Sequence, residues 1–202
     1  MHDSDISRTL VLYMADTRTI FFLGKPGCGK GTQAKMLAER TGWDIVASGD
    51  RFREIATEDS PVGRKVRAEI DAGLLAPHWF AMYLYQKALF SVAEDASVIF
   101  DGFNRKPEEA QLVVDSLAWL GRPFTVINLV ISDELVHERI QARSKDQHRA
   151  DDNSVNTRIE EYNMYTKPAL ELFRAAGELV DIDGAQGKEK IAKDIVIALN
   201  LS

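Results

Sequence analysis

Two hydrophobic periods take turns along this chain. Short runs rich in Val, Ile and Phe stand at 19–23, 43–46, 97–101, 124–131 and 178–182, with the length and composition of β-strands. Between them, apolar residues recur at helical spacing over 31–41, 51–58, 62–72, 78–93, 107–120, 133–144, 153–176 and 187–200. Strands alternating with helices predict βαβ crossovers, hence an α/β fold with a parallel five-stranded sheet covered on both faces. Two stretches exceed a simple alternation. Residues 48–76 hold two short helices between strands, and 144–152 form a polar loop; both are expected as inserts over the first strand-to-helix turn. Residues 1–17 precede the first strand and are expected to form a loosely packed N-terminal arm.

Composition narrows the class. At 202 residues the chain suits a single domain, 1–202, with small inserts. A net charge of −6 argues against a nucleic-acid partner, because any cationic surface must be local. Cys28 is the one cysteine. It leaves neither a disulfide framework nor a four-cysteine zinc site, and it suits a reducing compartment. No apolar run approaches the roughly 20 residues that span a bilayer. The start of the chain, with Asp3, Asp5 and only 10–14 apolar, lacks the features of a signal peptide. The expectation is a cytoplasmic protein with no membrane partner.

The first strand leads into Gly24-Lys25-Pro26-Gly27-Cys28-Gly29-Lys30-Gly31-Thr32. A Gly, four residues and then Gly-Lys form a phosphate-binding loop. Glycines let successive backbone N–H groups turn toward phosphate oxygens, and Lys30 supplies a point charge. The helix that follows adds its positive N-terminal end. One irregularity stands out: Gly31 intervenes, so the hydroxyl arrives at Thr32. Cys28 is read as a small residue whose backbone N–H matters and whose thiol does not. The loop makes a nucleoside triphosphate the expected ligand.

A second strand ends in a carboxylate, Val98-Ile99-Phe100-Asp101. Ligands in α/β sheets sit at the carboxyl ends of strands, so Asp101 is expected to share a Mg²⁺ shell with Thr32, mainly through water. Arg139 and Arg143 are four apart and share a helix face. Arg149 lies in the polar loop, Arg158 early in the next helix, and Arg53 and Arg105 near other element ends. Phosphoryl transfer gives a reason to want several guanidinium groups, since its transition state spreads negative charge over equatorial oxygens.

These residues resemble the adenylate kinases and related nucleoside monophosphate kinases. The loop at 24–32 resembles theirs, displaced Thr included. Ala47-Ser48-Gly49-Asp50-Arg51-Phe52-Arg53 is similar to the segment that opens their monophosphate-binding insert, and Ala72-Gly73-Leu74-Leu75-Ala76-Pro77 to the turn that closes it. Phe100-Asp101-Gly102-Phe103-Asn104-Arg105 resembles their Asp-Gly-Phe-Pro-Arg signature. The resemblance runs from about 19 to 200. It implies a P-loop NTPase fold with a doubly wound sheet, a helical monophosphate-binding insert at 48–76 and a short, zinc-free lid at 144–152.

It also implies reversible phosphoryl transfer from Mg·ATP to a nucleoside monophosphate, by a monomer that binds small-molecule nucleotides. ATP and Mg²⁺ would be held by Gly27, Cys28, Gly29, Lys30, Gly31, Thr32, Arg139, Arg143 and Gln186. The acceptor would meet Ser48, Arg53, Leu74, Leu75, Ala76, Gly102, Phe103, Arg105, Glu109, Arg149 and Arg158. Lys30 with Arg105, Arg139, Arg143, Arg149 and Arg158 would stabilise the transferring group.

Two positions depart from the pattern. Asn104 replaces a proline that is typically cis in the family; a non-proline cis bond costs about 2.5–4 kcal/mol, so a trans peptide is expected. Glu109 stands where adenylate kinases usually carry a Gln that reads the adenine edge. An ionised Glu only accepts hydrogen bonds, which suits guanine, or it merely favours the positive end of its helix. Ser48, a hydroxyl where the adenine-selective members carry Thr, favours AMP. The acceptor expected is AMP, with GMP, IMP or a deoxynucleotide as alternatives, and a nucleotide sensor with little turnover as a rival of another class.

Overall fold

The computed structural model describes residues 18–146 and 154–201. The arm 1–17 and the predicted lid from 147 onward, Arg149 included, lie outside the described residues. Five strands form one parallel sheet: β1 (Thr19–Gly24), β2 (Asp44–Ala47), β3 (Val98–Asp101), β4 (Phe124–Val130) and β5 (Leu179–Asp183), in the order β2-β3-β1-β4-β5. The chain moves outward from β1 to one edge and then to the other, which creates a cleft at the carboxyl ends of the strands.

Burial on both faces explains why the strands read so plainly. In β1, Ile20 and Phe22 enter one core cluster, while Phe21 and Leu23 enter the other. The first cluster is closed by α1 (Lys30–Thr41) and by α9 (Lys188–Ala198), through Leu37, Ile191 and Ile195. The second is closed by α4 (His78–Leu89), α5 (Pro107–Leu120) and α8 (Lys167–Ala175), through Tyr85, Val113, Leu117 and Phe173. Aromatic packing centres on Phe100. Its ring stacks on Phe21 at 5.2 Å and meets Tyr85 and Phe103 edge-on at 5.3 and 5.7 Å.

Between β2 and α4 lie α2 (Ser48–Thr57) and α3 (Pro61–Ala72), the helices expected of the insert. Helix α2 begins at Ser48, three residues earlier than its hydrophobic pattern suggests. No local side chain caps it; instead the Ser48 hydroxyl donates to the Gly102 carbonyl at 2.7 Å, a tertiary bond. Helix α3 is signalled locally, by Pro61 in its first turn and by Ser60 Oγ accepting from Gly63 N.

After β4 come α6 (Asp133–Asp146) and, past the undescribed stretch, α7 (Val155–Glu161). The single helix expected over 153–176 is broken. A π-helical turn, Tyr162–Thr166, separates α7 from α8, and Lys167 N bonds to Tyr162 O. Pro168 is the cause: it has no N–H for the Met164 carbonyl, and its ring crowds that carbonyl, so the helix widens by one residue.

Phe100→Ala is expected to destabilise the protein by about 3–5 kcal/mol. Urea denaturation would show a lowered midpoint with an unchanged slope.

Candidate active site

Sheet register assembles the site before any side chain acts. Phe22 lies opposite Asp101, and Asp101 opposite Ala47. The loop after β1, the first turn of α2 and the segment after β3 therefore open at one edge. The loop itself is shaped by Gly24 (φ 134), Gly27 (φ 73) and Gly29 (φ 102), conformations that a side chain strongly disfavours. At Gly24 a Cβ would also stand 2.6 Å from the Leu129 carbonyl oxygen.

Lys30 opens α1 and folds back over the loop, its Nζ donating to the carbonyls of Gly24 and Lys25 at 2.9 Å each. Burial pushes its ammonium below the ordinary value; Cys28 and Asp101 oppose that shift, and Arg105 and Arg158 add to it. A phosphate at the loop would restore the charge. The Cys28 side chain is fully buried, and its carbonyl accepts from Arg139 Nη1 at 3.3 Å. The intervening Gly31 has a steric reason: a Cβ there would sit 3.2 Å from Asp101 Oδ2. The carboxylate thus lies against the start of α1, beside the exposed Thr32.

On the other side of the cleft the Gly102 carbonyl accepts twice, from Ser48 Oγ at 2.7 Å and from Arg105 Nε at 2.6 Å. The Phe103–Asn104 peptide is trans, and Asn104 takes φ 59. Proline is fixed near −65° and cannot adopt that angle, whereas Asn tolerates it. The next turn is held by Glu109, whose Oε2 accepts from Arg105 N at 2.7 Å and from Lys106 N at 3.3 Å. Lys106 Nζ in turn donates to the Ala76 carbonyl at 3.0 Å.

One cavity of ≈ 610 Å³ gathers most of the residues singled out from sequence. Gly27, Gly29, Lys30, Gly31 and Thr32 line it, as do Ser48, Arg53, Leu74, Leu75, Ala76, Asp101, Gly102, Phe103, Arg105 and Glu109, and Arg139, Arg143 and Arg158 also reach it. Arg53 is exposed and paired with Asp50 at 2.5 Å. Gln186 does not line the cavity; its Nε2 donates to the Asp183 carbonyl and to Asp194, each at 3.1 Å. Arg149 lies outside the described residues.

Sequence reasoning passed over three contributors. Glu161 lines the cavity and accepts from Leu75 N at 3.0 Å, tying the turn after α3 to α7. Lys106 anchors the same turn from α5. Lys25, inside the loop, pairs with Asp133 at 2.5 Å. Each joins segments far apart in sequence, so no local pattern announces it.

A strand that runs into a glycine loop and a helix at the carboxyl edge of a parallel sheet defines a P-loop nucleotide-binding protein. The family model for adenylate kinase matches residues 22–178. Over 185 residues the chain is 35% identical to adenylate kinase 1 of Synechocystis sp., covering 90% of this chain and 97% of that protein. It is 34% identical over 185 residues to an adenylate kinase of Caulobacter sp., with 90% and 98% covered. With an adenylate kinase of Stenotrophomonas maltophilia it shares 33% identity over 183 residues, with 89% and 98% covered. The chain belongs to the adenylate kinase family.

Glu109 also gives the site a pH signature. Burial raises its carboxyl above the ordinary 4.5, while the two backbone N–H groups and the Lys106 and Arg105 charges oppose the shift. A raised folded value means that this group's contribution to stability is fully present below 4.5 and is lost as pH rises through the folded value. Glu109→Gln removes the titration. Thermal melts from pH 5 upward should therefore show the variant gaining on wild type as pH rises; a constant difference would contradict the shift.

Proposed function

We propose that this protein is an adenylate kinase that transfers the γ-phosphoryl group of Mg·ATP reversibly to AMP, giving two ADP. The observation that carries the reading is one cavity lined both by the glycine loop with Lys30 and by Arg53 and Arg105. A donor polyphosphate and an acceptor phosphate would meet inside it.

The attacking oxygen of the acceptor phosphate is already anionic, so no general base is required. The work left to the protein is positioning and charge stabilisation. Lys30 and the N–H groups of Gly27, Cys28, Gly29, Gly31 and Thr32 would bind the β- and γ-phosphates. Arg53 and Arg105 would hold the acceptor phosphate, and Arg139, Arg143, Arg149 and Arg158 the charge that develops between them. Gln186 is assigned to the ATP side, near β5. Asp101 and Thr32 offer hard oxygen ligands, which suit a Mg²⁺ held mostly by phosphates and water. When bound, the ion would neutralise charge on the β- and γ-oxygens.

Ser48 supports AMP as the acceptor. Its hydroxyl proton is committed to the Gly102 carbonyl, so toward the cavity it offers only lone pairs. Those suit an exocyclic amino group such as that of adenine better than the carbonyl that guanine carries at the same position. Leu74, Leu75, Ala76, Gly102 and Phe103 would enclose the base and ribose.

The helices of 48–76 are assigned as the monophosphate-binding insert, and 144–152 as the short lid. The single, buried Cys28 and a lid of that length supply no zinc site of the cysteine type. Among the described residues no helix is long and apolar enough to cross a membrane. The reading is completed by a cytoplasmic monomer that acts on small-molecule nucleotides.

Initial rates of ADP formation from Mg·ATP with AMP, GMP, CMP, UMP and dAMP test this directly. AMP should dominate. A dominant GMP rate would reassign the acceptor, and binding of ATP without turnover of any acceptor would make the protein a sensor. Lys30→Met should lower kcat by about 10²–10³-fold, the loss typical of one charge-stabilising donor, with the fold intact by circular dichroism.

A further inference from the structure

The segment 102–106 carries Arg105 to the cavity, yet little within the segment fixes its shape. Gly102 (φ 73) and Asn104 (φ 59) both sit in the left-handed region, so the backbone turns sharply twice in three residues. The Asn104 side chain does not brace it: it is 1% exposed, and neither its Oδ1 nor its Nδ2 has a hydrogen-bond partner among the described residues. The bracing comes from α5. A single oxygen, Glu109 Oε2, accepts from the backbone N–H of Arg105 at 2.7 Å and of Lys106 at 3.3 Å. The side chain of Glu109 is itself buried, at 3% exposure. With those two N–H groups held, Arg105 Nε reaches the Gly102 carbonyl at 2.6 Å and its guanidinium stays at the cavity wall.

We propose that Glu109 is a positioning residue for Arg105: its Oε2, bonded to the N–H groups of Arg105 and Lys106, fixes the guanidinium that receives the acceptor phosphate. The inference rests on the adenylate kinase reading of the cavity and specifies how one end of it is held. It also links the two departures from the family pattern. The residue at 104 lends its turn no fixed ring, and the carboxylate at 109 holds the backbone from outside. The competing role for Glu109 is direct reading of the acceptor base by its other oxygen, and the two roles separate chemically. Positioning needs only an oxygen acceptor, which Gln supplies. Base reading depends on whether the outward atom accepts or donates.

The experiment compares wild type, E109A, E109Q, R105A and R105A/E109A in steady-state kinetics with AMP and GMP as acceptors. E109A should raise KM for AMP at least tenfold and leave KM for ATP within twofold. E109Q should recover KM for AMP to within threefold of wild type, with the AMP-to-GMP ratio of kcat/KM unchanged. In the R105A background, E109A should cost less than twofold in kcat/KM, because the group it positions is gone. Additive losses in the double variant would overturn the proposal, as would an AMP-to-GMP ratio shifted tenfold or more in E109Q. If E109A fails to fold, E109Q decides alone: a KM for AMP raised beyond threefold refutes positioning. Wild-type rates are read first and separately, since failure of wild type to use AMP refutes the functional reading and not the role of Glu109.

Discussion

A lysine ammonium tied back onto the loop that should receive a polyanion is the constraint on which this structure depends. The Lys30 ammonium, which burial pushes below its ordinary value, is held in place by two loop carbonyls, and those carbonyls face it because Gly24, Gly27 and Gly29 turn the chain through left-handed angles. The loop keeps that shape because β1 has hydrogen-bonded neighbours on both sides, with Gly24 opposite Leu129. The approach is so close that even a methyl group at Gly24 would strike the Leu129 backbone. Sheet, loop and charge therefore form one unit. The two core clusters under β1 maintain the electrostatics above it, and one member reaches the charge directly: Cys28 Sγ accepts from Lys30 Nζ at 3.5 Å.

The same register aligns the opposite side of the cleft. Asp101 lies between Phe22 and Ala47 across the sheet, so Ser48 and Gly102 leave their strands side by side. Their hydrogen bond ties the start of α2 to the segment after β3. It also fills one of two acceptor sites on the Gly102 carbonyl, and Arg105 takes the other. A buried carbonyl satisfied twice leaves no unmet demand in the wall of the cleft.

The fold was legible because its strands are buried on both faces and its helices on one, so hydrophobic period alone separates them. The glycine loop was legible because backbone chemistry dictates its residues. Failures came where a distant partner decides local structure. Helix α2 starts at Ser48 because of Gly102, which no window around 48 contains. The π turn was missed because Pro168 falls two residues after it in a stretch otherwise patterned as one helix. Glu109 was visible as an anomaly, but its partners, the N–H groups of Arg105 and Lys106, emerge only once the turn at 102–106 is seen. Glu161 and Lys106 converge on Leu75 and Ala76 from other helices, and sequence gives no hint of such a meeting.

Three cations around the cavity, Lys30, Arg139 and Arg53, share a further property: each is held by a partner weaker than a phosphate. Lys30 and Arg139 rest on backbone carbonyls. Arg53 pairs with an exposed Asp50, a contact of the kind worth ~0–1 kcal/mol. A buried cation facing only apolar groups would be prohibitively costly, and one locked into a buried carboxylate would resist exchange. Carbonyls and solvent-exposed acids avoid both extremes. They keep the guanidinium and ammonium groups ordered, yet each contact is readily exchanged for a charge-assisted bond to a phosphate oxygen. The arrangement thus favours polyphosphate by the difference between two hydrogen-bond sets, and that difference grows as water leaves the cavity.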